Sequence, residues 1–295
     1  MTTLIIGGSG FLGTELTRQA IAAGHSTVAT CTTAPGGPSQ AQWHPLDLRQ
    51  PGQLAQVLAD VRPTLVVNVA SSKASWTVTA QGPIRIAMAA AQHAFRLVHV
   101  SSDAIFSGVD RVHYDESCLP DPTSPYGAMK AAAETGVLTV NPQAVIARTS
   151  LIIGRGQSVH ERAVHEMATG TREGALFTDD VRCPVFVEDL AAALLELAAG
   201  EAAGIRHLAG ADAVSRHELG TLIARRDGLD ASRLRTGLRA QSTLPGALDV
   251  RLDSRATQQQ LRTKLRGVRE FCSVPVSASP VGRPAGQRTY SEGDE

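Results

Sequence analysis

Lysine is nearly absent from this 295-residue chain. Lys73, Lys130 and Lys264 are the only three, and arginine supplies the rest of the 28 basic residues. Neither sign of charge is in excess, since 28 acidic residues bring the formal net charge to zero. A duplex-binding surface needs a basic surplus, so no nucleic acid is expected as a partner. Cysteine is sparse too: Cys31, Cys118, Cys183 and Cys272 form no CxxC pair. That argues against a zinc knuckle or a disulfide framework and predicts reduced thiols in a cytoplasmic protein. Long apolar runs are missing. The longest candidate, Leu190 to Ala199, is interrupted by Glu196 and is too short to span a bilayer, so no membrane contact is expected. No basic n-region or cleavage pattern precedes Leu4-Ile5-Ile6. With so few lysines, and only three tyrosines, either residue at a motif position carries unusual weight.

What is present is ordinary globular composition, 43% hydrophobic and 19% charged, at a length suited to one large domain or one domain with a cap. Short apolar runs alternate with helical patterns. Thr3–Ile6, Ser26–Cys31, Thr64–Val69, Arg96–Val100 and Ala144–Thr149 read as buried strands. Between them, helices are predicted at Phe11–Ala23 (stopped by Gly24), Gly52–Ala59 (with Pro51 at its first turn), Pro83–His93 and Pro125–Val140. Such alternation predicts an α/β fold around a parallel sheet. Past residue 150 the pattern loosens. A helix is expected near Ser158–Thr169, strands near Ala175–Phe177 and Pro184–Val187, a helix at Glu188–Ala199 and a returning strand at Ile205–Ala209. Ser215 and Asp253-Ser254 read as helix caps, and the Ser-, Pro- and Gly-rich stretch 273–295 reads as a flexible tail.

The first strand runs straight into Gly7-Gly8-Ser9-Gly10-Phe11-Leu12-Gly13 and then a helix. In that setting Gly7 permits the tight turn, Gly10 lets the backbone approach a pyrophosphate, and Gly13 allows close helix packing. The N–H groups around Phe11 and Leu12 would face the phosphates. At the end of the second strand, Cys31 and Thr32 stand where an acid would hydrogen-bond the ribose 2′-OH of NAD. The absent carboxylate favours NADPH as cofactor, with NADH possible. Asp47 and Leu48 read as the adenine edge, with a helix N-terminal acid as the other reading of Asp47. Ala70 and Ser71, after the third predicted strand, complete the expected cofactor contacts.

Tyr126-x-x-x-Lys130 puts two side chains one turn apart on one helix face. A free tyrosine has a pKa of about 10. A nearby ammonium is expected to pull that value down and make the phenol a competent acid. The same lysine can hold the nicotinamide ribose hydroxyls. Ser102 ends the strand through Val98-His99-Val100, at the sheet edge where such folds bind ligands, and is placed to donate to a substrate carbonyl. Arg182 is expected near a substrate diphosphate, and Arg155 is a weaker candidate for that place. Lys73 reads as a solvated lysine. His160 and His165 are five residues apart rather than four, so no metal site is expected.

Taken together, Gly7-x-x-Gly10-x-x-Gly13, Asn68-Val69-Ala70, Ser101-Ser102-Asp103, Tyr126-x-x-x-Lys130 and Arg148-Thr149-Ser150 resemble the extended short-chain dehydrogenase/reductases. The stretches Val98–Phe106 and Cys183–Ala191 resemble the dTDP-4-dehydrorhamnose reductase branch in particular. The resemblance covers residues 2 to about 209 well and the remainder weakly. It implies a Rossmann doubly wound parallel sheet with a smaller C-terminal substrate-binding cap. The expected division is 1–150 and 184–209 for NAD(P), and 151–183 and 210–272 for substrate. It further implies reduction of a 4-keto-6-deoxyhexose nucleotide through Ser102, Tyr126 and Lys130, with Asp103 and Ala104 also at the substrate. Two positions depart from the family: Ala104 replaces a usual aromatic, and Thr79 falls where a relay asparagine is usual. Open alternatives are a nucleotide-sugar epimerase or dehydratase, a ketoreductase of another small molecule, and a non-catalytic NADP-binding subunit. Intact Tyr126 and Lys130 weigh against the last. The Ala-rich helices Pro83–His93 and Pro125–Val140 suggest a homodimer, with a monomer as the alternative.

Overall fold

A computed structural model describes residues 1–243 and 246–273; apart from Ser273, the expected tail lies outside the described residues. Seven parallel strands form the central sheet: β1 (Thr2–Ile6), β2 (Ser26–Cys31), β3 (Gln42–Pro45), β4 (Leu65–Asn68), β5 (Arg96–Ser102), β6 (Val145–Thr149) and β7 (Gly204–Leu208). Their order across the sheet is β7-β6-β5-β4-β1-β2-β3. The order reverses between β1 and β4. In a sheet of this kind the ligand crevice opens at the carboxyl ends of those two strands.

The apolar runs are continuous because both faces of the sheet are covered. Ile5, Val67, Val98 and Ala147 point to one side, where they meet Leu12 and Leu16 of α1 (Phe11–Ala22) and Leu190 and Leu194 of α6 (Val187–Ala199). Their neighbours Leu4, Ile6, Val66, Leu97 and Ile146 point to the other side. There they meet Leu54 and Val57 of α2 (Gln53–Val61), Ile86 and Ala90 of α3 (Gly82–His93) and Val137 of α4 (Pro125–Val140). The period of two is thus read directly from the packing.

A separate apolar cluster lies beyond the sheet, built from Leu151, Ile153, Val164, Phe186, Leu219, Ile223 and Phe271. It joins α5 (Val159–Thr169) to α7 (Arg216–Arg226). Three short strand pairs frame it: Ile152–Ile153 with Val185–Phe186, Leu176–Phe177 with Thr236–Gly237, and Val181–Arg182 with Val214–Ser215. Ser158 and Glu161 close a capping box on α5. The Glu161 carboxylate also accepts from Gly154 N, Gly156 N and Arg226 Nη2, the last at 2.7 Å. This buried acid is fully partnered, and removing Arg226 would leave it uncompensated at a cost of about 3–5 kcal/mol.

Three local expectations change. Pro51 is not in the first turn of α2, which starts two residues later at Gln53. An Asp47 turn and a left-handed Gly52 (φ 84°) occupy the approach. A wider helical turn with i→i+5 bonding, Thr77–Gln81, runs directly into α3, so this helical segment starts before Pro83. Ser254 does not cap the short helix Arg255–Gln258, because its hydroxyl takes Ala209 N at 3.0 Å; Asp253 Oδ1 accepts Arg255 N instead. Ser215 caps α7 as expected, accepting from Glu218 N at 3.0 Å.

Candidate active site

The turn after β1 is built around missing side chains. Gly7 adopts φ 87°, and a Cβ on Gly13 would lie 2.2 Å from the Gly7 carbonyl oxygen. The first turn of α1 therefore rests directly on the loop. Gly10 occupies the N-cap in extended geometry and no side chain caps the helix, nor does any acid stand in its first turn. The N–H groups are left available to an anion. Thr30 of β2 fixes the loop from below by accepting from Gly7 N at 3.1 Å.

Beside this turn lies a cavity of about 480 Å³. Gly7, Gly10, Phe11, Leu12, Gly13, Cys31, Thr32, Asp47, Leu48, Ala70 and Ser71, all anticipated from sequence, line it together. Asp47 is no first-turn acid, since α2 has none. Its carboxylate is held by Arg49, with Nη2 at 2.9 Å and the Arg49 backbone N at 2.9 Å, which lowers the Asp47 pKa. Arg49 lines the same cavity and was not anticipated. Its only sequence signal is its spacing from Asp47. Ser9, Ser72 and Ser75 are further unanticipated wall residues.

The catalytic candidates meet at the carboxyl end of β5. Ser102 ends that strand and caps a single turn, Asp103–Ile105, accepting from Ala104 N at 3.2 Å. α4 begins one contact away, with Ser124 as N-cap and Pro125 in its first turn. A Cβ on Gly127 would lie 2.0 Å from the Ala104 carbonyl oxygen, so only glycine lets α4 approach this closely. That approach brings the Tyr126 phenol beside the hydroxyls of Ser71 and Ser102.

The expected pull of Lys130 on Tyr126 is not what the structure gives. Burial raises the Tyr126 pKa, Ser71 and Ser102 oppose that rise, and Asp103 adds to it. Lys130 is buried with Nζ donating to the Val100 carbonyl at 2.9 Å and lying 6.0 Å from the Tyr126 ring centroid. Burial lowers its pKa to about 8, against a raising influence from Glu134 one turn on. Glu134 is itself bound by the buried Arg148 at 2.8 Å. The arrangement keeps the phenol protonated at neutral pH, as a proton donor requires.

Arg182 needs the larger correction. It is 5% exposed. Its Nη1 donates to the carbonyls of Val181 and Leu248, each at 2.7 Å, and its Nη2 to that of Ala247 at 2.8 Å. Asp180 lies 3.0 Å from Nη1 and Asp103 3.6 Å from Nε. The guanidinium is buried and already engaged by backbone carbonyls and two carboxylates, which sets it apart from the exposed diphosphate ligand expected from sequence. Asp103 is held in turn by Ser150 Oγ at 2.6 Å. Arg155 is exposed and paired to Glu188 at 3.0 Å. Thr79 engages the Ser72 backbone, donating to its carbonyl at 2.6 Å and accepting from its N–H at 2.8 Å. His160 and His165 have different partners, Arg216 and Asp227.

The family model described as RmlD substrate binding domain matches residues 1–272. The chain belongs to this family. A protein named probable dTDP-4,6-dihydroxy-2-methyloxan-3-one 4-ketoreductase, from Streptomyces antibioticus, is 30% identical over 251 residues, 80% of each chain. The dTDP-4-dehydrorhamnose reductase of Mycobacterium tuberculosis is 29% identical over 258 residues, 82% of this chain and 81% of that one. Among solved structures, dTDP-4-dehydrorhamnose reductase from Bacillus anthracis in complex with NADP has a TM-score of 0.80. It covers 92% of this chain and 97% of that one at 20% identity, a likeness of fold. The extended short-chain reductase motifs and the RmlD family match agree.

Proposed function

We propose that this RmlD-family chain is a cytoplasmic, NADPH-dependent reductase of the ketone of a nucleotide-activated 4-keto-6-deoxy sugar. One observation carries the reading: the buried Tyr126 phenol lies beside Ser102, at the sheet edge next to a glycine-built cavity. The cavity fits a dinucleotide, because the uncapped start of α1 and the glycine-rich Gly7–Gly13 turn leave room and donors for a pyrophosphate. Gly7, Gly10, Phe11, Leu12 and Gly13 would hold that group. Thr32 and Arg49 would meet the adenosine ribose, and Ala70 and Ser71 the part nearest Tyr126. NADPH, when bound, supplies the hydride. Ser102 donates a hydrogen bond to the substrate carbonyl oxygen, and Tyr126 gives its proton to that oxygen as the carbonyl becomes an alcohol. The Lys130 ammonium then faces the phenolate left behind. It has three N–H donors and Val100 uses one, so two remain for ribose hydroxyls.

The relatives named as dTDP-sugar ketone reductases support the substrate class. We assign substrate choice to the region 151–183 and 210–272 with Ala104, opposite the sheet edge. We also assign a homodimer through α3 and α4, whose outward positions include Met88, Ala128, Thr135 and Thr139. Among the described residues no helix is long and apolar enough to cross a membrane. The reading is tested by following NADPH loss with 4-keto-6-deoxy sugar nucleotides set against simple ketones.

A further inference from the structure

Tyr126, Lys130 and Glu134 follow one another at four-residue intervals, so they stack along one face of α4. Two polar anchors hold that face to the sheet. Lys130 reaches the Val100 carbonyl of β5. One turn on, Glu134 meets Arg148 of the adjoining strand β6. Arg148 Nη2 lies 2.8 Å from Oε2, and its Nε lies 3.2 and 3.1 Å from the two carboxylate oxygens. Arg148 stands opposite Ser101, the residue after Val100, so the two anchors fall on neighbouring rows of adjacent strands. All three side chains are sealed from solvent, Lys130 and Glu134 at 3% exposure and Arg148 at 1%.

Buried charges need partners. Arg148 has several besides Glu134: the Cys118 carbonyl at 3.2 Å, the Phe106 ring at 5.2 Å, and His207 of β7, opposite it in register, at 3.5 Å. Lys130 has one neutral carbonyl. The titratable groups around it are Tyr126 and Glu134 of α4 and His99 of β5. Burial and the Lys130 charge both keep His99 neutral, and its Nδ1 accepts from Asn68 Nδ2 at 3.1 Å. α3 meets α4 with Ile84 against Gly136 and turns Arg85 toward the Leu48 carbonyl. Asp103, in the turn after β5, acts on Tyr126. Glu134 is thus the carboxylate that bears on Lys130. It does so only while Arg148 keeps it ionised, since a lone buried carboxyl takes up a proton. Charge alternates along the series: Arg148 positive, Glu134 negative, Lys130 positive. The series ends on Tyr126, which becomes negative as it gives up its proton.

We propose that the buried Glu134–Arg148 pair is a positioning element of the proton-transfer site, which keeps the Lys130 ammonium charged and seated on Val100 and so sets the upper pH limit of ketone reduction. The proposal rests on the reductase reading above. Neither residue lines the cofactor cavity, so the pair acts through Lys130.

The test exploits the scarcity of lysine. With lysine carbon-13-labelled at Cε, the full-length chain gives NMR signals from Lys73, Lys130 and Lys264 alone, and Lys130→Met assigns the buried one. Glu134→Leu/Arg148→Met removes both charges and refills the site with apolar volume, an exchange that buried ion pairs often tolerate. Glu134→Gln removes the negative charge alone. The wild-type Lys130 signal should titrate at about 8. Its midpoint should fall by roughly one unit in the double variant and by roughly two in Glu134→Gln, where Arg148 keeps its charge without a counterion. The falling limb of the pH–rate profile for NADPH-dependent ketone reduction should move by the same amounts, with KM little changed; a merely structural role would move neither midpoint. A Lys130 midpoint at the wild-type value, in a variant whose Lys73 and Lys264 signals are unaltered, overturns the proposal. So does a shifted midpoint that the rate limb does not follow. If one variant fails to fold, the other decides by the same criteria. A wild type that reduces no ketone, while its Lys130 midpoint still falls in the variants, removes the reductase reading and supports the charge coupling.

Discussion

Lys130 Nζ donates to the Val100 carbonyl at 2.9 Å, and so the lysine is anchored to β5 rather than to the tyrosine one turn before it. In the proposed mechanism the two residues divide the labour. Burial keeps the Tyr126 phenol neutral, while the lysine holds a charge that burial has made easier to lose.

That division sets a pH dependence. The Lys130 pKa is about 8, so the rate of ketone reduction should be level below that pH and fall as pH rises through it. Stability moves the other way. The folded pKa lies below the ordinary 10.5, so between about 8 and 10.5 the unfolded chain binds more protons, and folding gains as pH rises. Relative to Lys130→Met, the wild type should gain up to about 3 kcal/mol across that window. Denaturant melts of both proteins at several pH values check this. A parallel pH response of the two would remove the buried charge from the account.

Cofactor preference should follow the cavity wall. No acid stands at Cys31-Thr32, and the nearby Asp47 carboxylate is bound by Arg49. NADPH should therefore bind more tightly than NADH, and Arg49→Ala should narrow the gap by weakening NADPH selectively. Fluorescence titration of the apo-protein with each cofactor decides it. Equal affinities in the wild type would mean that the 2′-phosphate lies in solvent.

Ala104 tests the substrate side. Its backbone is fixed between Ser102 and Gly127, so a new side chain here changes the junction of sheet and cap rather than the turn itself. Ala104→Tyr should shrink the range of accepted ketones and leave NADPH affinity unchanged. A variant with an unaltered substrate range would place Ala104 outside the pocket.

Assembly gives an independent test. Met88 is 56% exposed on α3, and the outward side of α4 carries small residues at 128, 135 and 139. Light scattering should report a dimer, and Met88→Arg should shift it toward monomer. A monomeric mass across a wide concentration range would remove the dimer and leave the chemistry intact.

Much of the candidate site was legible because its residues are local in sequence. The glycine turn follows β1 directly, and Tyr126 and Lys130 share one helix face. The sheet was legible for a related reason: strands buried on both faces leave unbroken apolar runs such as Leu65–Val67. Other features depend on distant partners. An arginine reads the same whether buried or open, and the acceptors that occupy Arg182 come from Asp103, Ala247 and Leu248. Pro51 misled because a left-handed Gly52 can follow it and delay the helix. β3 is a short edge strand with polar Gln42 and His44, so its pattern was weak.

In the proposed reaction Tyr126 supplies the proton for reduction of a nucleotide-sugar ketone. The most direct measurement is single-turnover NADPH oxidation with a dTDP-4-keto-6-deoxyhexose, comparing the wild type with Tyr126→Phe. The wild type should turn the substrate over. The variant should bind NADPH and substrate with near-normal affinity while the chemical step slows by roughly 10²–10⁴-fold, the usual contribution of a positioned acid. Oxidation by Tyr126→Phe at close to the wild-type rate would contradict the mechanism.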